Sequence, residues 1–538
     1  MSAIVIAGLD FAWPDGSFVF GGLDTVLGAG RTGLVGVNGS GKSTLLRLIA
    51  GELTPAAGTI SVTGRLGYLP QNLVLDARRR VDEVLGIVDV RAAIAAIEAG
   101  DTDERHFAVV GDRWDVEERT RATLDQLGLG HVSVTRHVGE LSGGEVVLLG
   151  LAAQILREPD VLLLDEPTNN LDQRARGLVY ETVRSWKGVL VIVSHDRELL
   201  RLVDRIGDLR EGEIAYYGGN IDDYEAALAA EQEAAERALR AAESDVRRQK
   251  RELIEAQTKL ARRRRYGQKM FDQKREPKVR MRKRAEDAEI AAGKYRNLHI
   301  DRLDQAMDRL KAAEDGVRQD DEIRVDLPAT AVPQEREVLR LSEVELRNGA
   351  LADLDVRGPE RIALVGDNGA GKTTLLRTVL GDLPPVAGEV TLHVPARWLP
   401  QRLDVLDDEL SAVDNVARAA PSASNNTIRA RLARFLLRGT RADQLAGTLS
   451  GGERFRATLA TLLLAEPAPQ LLLLDEPTNN LDLASVRQLG QSLAAYSGAL
   501  VVASHDLPFL RTIGVTRWLR LDGRLTEIDP CESSRPRL

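Results

Sequence analysis

One cysteine in 538 residues, Cys531 in a polar stretch containing Pro and Ser, excludes several protein classes. A single thiol cannot form an internal disulfide, a four-cysteine zinc site or an iron–sulfur cluster. Long apolar runs are missing too: none approaches the roughly 18–20 residues that span a bilayer. The apolar runs are short strand-like segments such as Val161–Leu164 and Leu471–Leu474. Met1–Gly30 lacks a basic start and a continuous apolar core, so no secretory signal is expected there. The expected setting is soluble and cytoplasmic. Net positive charge is absent as well. The 72 Lys and Arg against 81 Asp and Glu leave −9, which taken alone argues against binding nucleic acid.

What is present occurs twice. Gly36-Val37-Asn38-Gly39-Ser40-Gly41-Lys42-Ser43 is followed by Gln71, Leu141-Ser142-Gly143-Gly144-Glu145, Leu164-Asp165-Glu166 and His195. The second copy reads Gly366-Asp367-Asn368-Gly369-Ala370-Gly371-Lys372-Thr373, Gln401, Leu449-Ser450-Gly451-Gly452-Glu453, Leu474-Asp475-Glu476 and His505. Lysine to glutamine is 29 steps in both copies, and the aspartate to histidine distance is 30 in both. The set resembles that of the ATP-binding-cassette ATPases. The fold class expected is therefore α/β, with two P-loop cassettes joined by a helical connector.

Each phosphate-loop motif follows an apolar strand and opens a helical run, so Thr44 and Thr374 join the expected ATP contacts. Glycines let backbone N–H groups curl round phosphates, and the helix start adds a positive dipole end. Lys42 and Lys372 would neutralise phosphate charge, while Ser43 and Thr373 would ligate Mg²⁺. Asp165 and Asp475 end apolar strands, where a carboxylate can reach the same metal. Glu166 and Glu476 are placed to polarise the attacking water. His195 and His505 each follow an apolar strand, at positions that repeat between the copies. The resemblance puts Gln71 and Gln401 among both the catalytic and the metal-binding groups. It also has Ser142, Gly143 and Gly144 address the phosphate held by the other cassette. Ser450, Gly451 and Gly452 do the same in return, pairing Lys42 with Ser450 and Lys372 with Ser142. Neither site lacks a motif, so both are expected to hydrolyse ATP. Trp13 is either the adenine-stacking aromatic of the first cassette or a core tryptophan. The corresponding stretch Val344–Gly349 has no aromatic.

Between the copies the composition changes. No Pro or Gly occurs from Tyr224 to Arg265, and Leu239, Ala242, Val246, Gln249, Leu253, Ala256 and Leu260 form a weak heptad seam. A second seam runs from Met281 to Val317, with Gly267 and Pro277 expected to break the helix between them. This describes a long antiparallel α-helical hairpin reaching roughly 60 Å. From Arg247 to Arg284 there are 17 Lys or Arg against 4 Asp or Glu. The candidate nucleic-acid contacts are Arg262, Arg263, Arg264, Arg265, Lys269, Lys274, Arg275, Lys278, Arg280, Arg282, Lys283 and Arg284, with Tyr266 and Phe271 to stack on unpaired bases. An anionic lipid surface or an acidic protein would also suit such a cluster. The expected division is residues 1–223, 224–334 and 335–527, with a polar tail at 528–538. The first cassette carries about 22 extra residues within 76–115, either a contact arm or a longer helical subdomain.

Two intact cassettes, no membrane domain, a charged helical linker and an insertion in the first cassette together resemble the ABC-F family. The resemblance implies a ribosome-bound ATPase, monomeric with its cassettes paired intramolecularly. Its linker would enter at the tRNA exit side and contact ribosomal RNA and P-site tRNA near the peptidyl-transferase centre. Some members are translation factors and others displace ribosome-targeting antibiotics. The competing expectation is the cytoplasmic motor of a membrane transporter, although such motors have short connectors. Excision-repair and ribosome-recycling twin cassettes need several cysteines. Chromosome-maintenance ATPases place their coiled coil inside a cassette.

Overall fold

Strands made almost wholly of Val, Leu and Ile suit a parallel sheet buried on both faces. In the first cassette six strands lie in the spatial order Leu66–Leu69, Val161–Asp165, Val189–Val193, Gly30–Val35, Arg205–Arg210 and Glu213–Gly218. All pairings are parallel except the closing hairpin. A separate antiparallel sheet pairs Ala3–Ala12 with Phe18–Leu27 and Ala57–Thr63. The computed structural model describes residues 3–71, 73, 76–169, 171–272, 278–316, 323, 327–401, 404–479 and 481–529.

The second cassette repeats the plan in a single nine-stranded sheet. Its parallel core runs Ala396–Leu399, Leu471–Asp475, Ala499–Ala503, Arg361–Val365 and Arg517–Asp522. Pairing of Leu351 with Arg524 joins this core to the antiparallel strands. In both cassettes the carboxyl ends of the core strands carry the loops that hold the candidate catalytic residues.

The insertion is helical. The first cassette has Val81–Leu85, Val88–Glu98, Glu104–Val110 and Val116–Gln126, where the described residues of the second have Ala412–Ala419 and Asn425–Arg434. Arg91 ties this bundle together, donating to buried Asp82 at 3.2 Å and to Glu117 at 2.9 Å.

Residues 222–320 form a second compact unit, separate from 1–221 with 321–538. One helix runs Ile221–Asp272 and another Lys278–Gly316. At 1.5 Å per residue the 52-residue first helix extends about 78 Å. Arg309 meets Asp245 at 3.3 Å, and both lie at comparable distances from the connection, so the helices run antiparallel. Val246, Ala256 and Ala306 are buried between them, all three on the expected seams. Gly267 does not break the helix as expected: the first helix continues through it to Asp272. One glycine costs a helix only about 1 kcal/mol relative to alanine, and its Arg, Gln, Lys and Met neighbours favour helix. Pro277 lies outside the described residues. The chain then rejoins the second cassette, where Ile323 and Leu327 enter its apolar core.

Candidate active site

Each phosphate loop has three glycines with positive φ, Gly36, Gly39 and Gly41 in the first and Gly366, Gly369 and Gly371 in the second. Gly36 (φ 150°) passes so close to the neighbouring strand that a β-carbon would lie 2.4 Å from the Leu209 carbonyl oxygen. Gly366 (φ 154°) would meet Leu521 O at 2.5 Å in the same way. Gly41 and Gly371 adopt left-handed conformations that start the helices Lys42–Ile49 and Lys372–Val379. With the loops so curled, the Lys42 ammonium turns back on Gly36 O (2.8 Å) and Val37 O (3.0 Å). Lys372 likewise donates to Gly366 O and to Asp367 O. Burial pushes both ammonium groups below their usual pKa, against nearby carboxylates that pull the other way. A buried cation whose hydrogen bonds go to carbonyl oxygens is suited to an anionic ligand. Ser40 Oγ is buried without a protein partner among the described residues, a further polar group aimed into the loop.

Ser43 Oγ donates to Asp165 Oδ1 at 3.0 Å, and Thr373 Oγ1 to Asp475 Oδ2 at 2.7 Å. Among the described residues no cluster of three His, Cys, Asp or Glu could hold a metal alone. One hydroxyl and one carboxylate per site instead suit Mg²⁺, which keeps waters and takes phosphate oxygens as its other ligands. Burial raises the Asp165 carboxyl to about 6 and that of Asp475 above its usual value.

Glu166 and Glu476 occupy left-handed backbone at φ 50° and 45°, a conformation costly for a side-chain-bearing residue and common at functional sites. Both side chains lie against the histidines. Glu166 Oε1 lies 3.3 Å from His195 Nε2, and Glu476 Oε1 lies 3.4 Å from His505 Nε2. Burial raises Glu166 to about 8 and Glu476 to about 7, and drops both histidines to about 3. These contacts therefore involve neutral imidazoles and are not ion pairs. At the second site His505 Nε2 also lies 3.1 Å from the Lys372 ammonium, where it can accept.

The sites are composite. Asn38 N, in the first phosphate loop, donates to Asp482 of the second cassette at 2.7 Å. A β-carbon on Gly451 of the second signature would lie 3.8 Å from Cβ of Asn38. In the other direction Leu171 and Arg176 line a cavity of about 450 Å³ with Lys372, Gln401 and Glu476. Ser142 and Ser450 cap the signature helices, each closed by a reciprocal bond with Glu145 or Glu453. Gln71 is exposed at the end of its strand. Trp13 is half-buried and packs edge-on against Phe11, 5.2 Å between ring centres. In the matching stretch of the second cassette Asn348 donates to Ala370 O at 2.9 Å. Arg176 escaped motif reading because it belongs to no motif. The signal was a difference between copies, Arg176 standing where the second cassette has Val486.

On the hairpin, Arg262, Arg263, Arg264, Arg265, Lys269 and Lys283 are exposed, and Tyr266 is 68% exposed. Phe271, Lys278, Arg280, Arg282 and Arg284 lie on the two helices. Lys274 and Arg275 lie outside the described residues. The surface charge there is nearly of one sign, and an exposed aromatic ring stands among it.

Comparison with known proteins gives the same pattern. The family described as ABC transporter matches residues 25–169 and 351–479. The tylosin resistance ATP-binding protein TlrC of Streptomyces fradiae is 33% identical, covering 88% of this chain and 89% of its own. The probable ATP-binding protein YheS of Escherichia coli is 31% identical, covering 93% and 76%. Mouse ATP-binding cassette sub-family F member 3 is 30% identical, covering 94% and 70%. Among solved structures, the archaeal ribosome recycling factor aABCE1 in complex with stalk protein aP1 superposes with a TM-score of 0.57. That match covers 96% of this chain and 89% of the other at 18% identity, a likeness of fold. No helix among the described residues is long and apolar enough to cross a membrane.

Proposed function

The chain belongs to the ABC-F family of twin-cassette ATPases, and from that premise we propose that it acts on the ribosome through its basic hairpin. It hydrolyses ATP. The two sites lie between its own cassettes, so each phosphate loop is completed by residues of the other half. In each, the lysine and loop amides hold the phosphates. The hydroxyl and aspartate would hold Mg²⁺, which would neutralise phosphate charge. Glu166 or Glu476 orients a water in line with the terminal phosphate and takes its proton, and a histidine lies beside each carboxyl.

The observation that carries the ribosomal reading is the exposed Arg262–Arg265 run with Tyr266, on a helix about 78 Å long. Ribosomal RNA and P-site tRNA offer the phosphates and unpaired bases that such a surface fits. The twin-cassette protein aABCE1, solved with a ribosomal stalk protein and in a ribosome-bound complex, supports the same direction. Within this role the similarity to a tylosin resistance protein favours protection against an antibiotic over general translation control.

Replacing Arg262–Arg265, Arg280, Arg282, Lys283 and Arg284 by Gln tests the reading. Salt dependence of ribosome binding should flatten by several units of slope, at about 0.7–0.9 for each phosphate no longer neutralised. ATP hydrolysis without ribosomes should persist, because none of these residues belongs to a nucleotide motif. Unchanged affinity and slope would make the hairpin a spacer and return weight to a transporter motor.

A further inference from the structure

The two nucleotide sites are not electrostatic copies of each other. Asp172 and Asp482 cap equivalent helices, accepting from Ala175 N at 2.8 Å and Ser485 N at 2.7 Å. Each also faces the lysine of the opposite cassette. Four residues beyond, the cassettes diverge into Arg176 and Val486. Val486 packs on the apolar core of its own cassette. Arg176 instead lines the cavity of the second site, with Lys372, Thr373, Gln401 and Glu476. Its Nε donates to Leu171 O at 3.1 Å, which fixes the stem. That is its only side-chain hydrogen bond among the described residues, leaving both terminal nitrogens for a ligand.

We propose that Arg176 is a trans-acting catalytic residue of the second site, binding an oxygen of the terminal phosphate held by Lys372. Hydrolysis at the second site then needs an arginine from the first cassette, and hydrolysis at the first site has no such requirement. In the reaction the bond from terminal phosphorus to the bridging oxygen breaks and a bond to the water oxygen forms. The water's proton passes to Glu476. Arg176 exchanges no proton; it balances charge on the phosphoryl oxygens, the role of arginines supplied across an interface in other phosphoryl-transfer enzymes. The inference rests on reading Lys372 as the phosphate-binding group and Glu476 as the water-orienting group.

Single-site backgrounds test it. With Glu166→Gln only the second site turns over, and with Glu476→Gln only the first. Arg176→Ala and Arg176→Lys are placed in each background, and kcat and ATP affinity are measured. In the Glu166→Gln protein Arg176→Ala should lower kcat on the order of a hundredfold, the loss expected for one donor to the transition-state charge. Lysine should recover only part, since its ammonium lacks the planar fork. In the Glu476→Gln protein the change should stay below about threefold, which also reports on folding. Equal losses in both backgrounds, or none in the first, would overturn the assignment of Arg176 alone. A Glu166→Gln protein already as slow as Glu166→Gln/Glu476→Gln would overturn both this inference and the role given to Glu476.

Discussion

In the proposed reaction Glu166 and Glu476 carry the chemistry at the scale of single residues, and burial makes them unusual carboxyls. Replacing both by Gln should leave ATP affinity within about threefold and reduce turnover by orders of magnitude, since only proton acceptance is removed. Stability gives a second readout. In the unfolded chain these groups ionise near the ordinary carboxyl value, whereas folding raises them to about 8 and about 7. As pH rises from 5 to 8 the unfolded state releases protons that the folded state keeps, so folding weakens. The double Gln variant escapes this cost. Without nucleotide its melting temperature should therefore exceed the parent's by a margin that grows over that range. A constant margin would show that the two glutamates titrate normally.

Secondary-structure elements show most clearly what sequence could and could not tell. The loops, the catalytic strands and the signature helices were legible because each motif has a duplicate at matching spacing. The heptad seams placed Val246, Ala256 and Ala306 correctly because burial in a two-helix hairpin follows periodicity. Gly267 misled because a local breaker competes with a helix that neighbouring residues already favour. The left-handed backbone of Glu166 and Glu476 left no sequence trace, since it arises where strand end, loop and histidine strand meet. Arg176 left only a difference between the copies, because the cavity it lines belongs to the other cassette's phosphate loop. Val246→Asp should test the hairpin as an element. Burying that charge costs about 2–4 kcal/mol. Hydrogen exchange within residues 230–320 should accelerate, while ATP affinity is retained. Unchanged protection would mean the two helices do not depend on this seam.

For the whole molecule, duplication makes each half incomplete without the other. Asn38 bonds across to Asp482, and Leu171 lines the site of Lys372. Ser450→Arg should consequently impair trapping of nucleotide at the Lys42 site, although every residue of that phosphate loop is intact. Impairment confined to the Lys372 site would contradict the crossed pairing. The acidic remainder of the chain offsets the basic hairpin, giving a net charge of −9 with one cationic region. Such a distribution concentrates a strong positive field on the hairpin.

The most direct measurement is sucrose-gradient co-sedimentation of the Glu166→Gln/Glu476→Gln protein with ribosomes, with ATP and with ADP. A clamp that binds ATP and cannot hydrolyse it should travel with the ribosomes in ATP and stay at the top of the gradient in ADP. Neutralising the basic hairpin should release it in both. Sedimentation that ignores both nucleotide and hairpin charge, or no association in ATP, would contradict the ribosomal role.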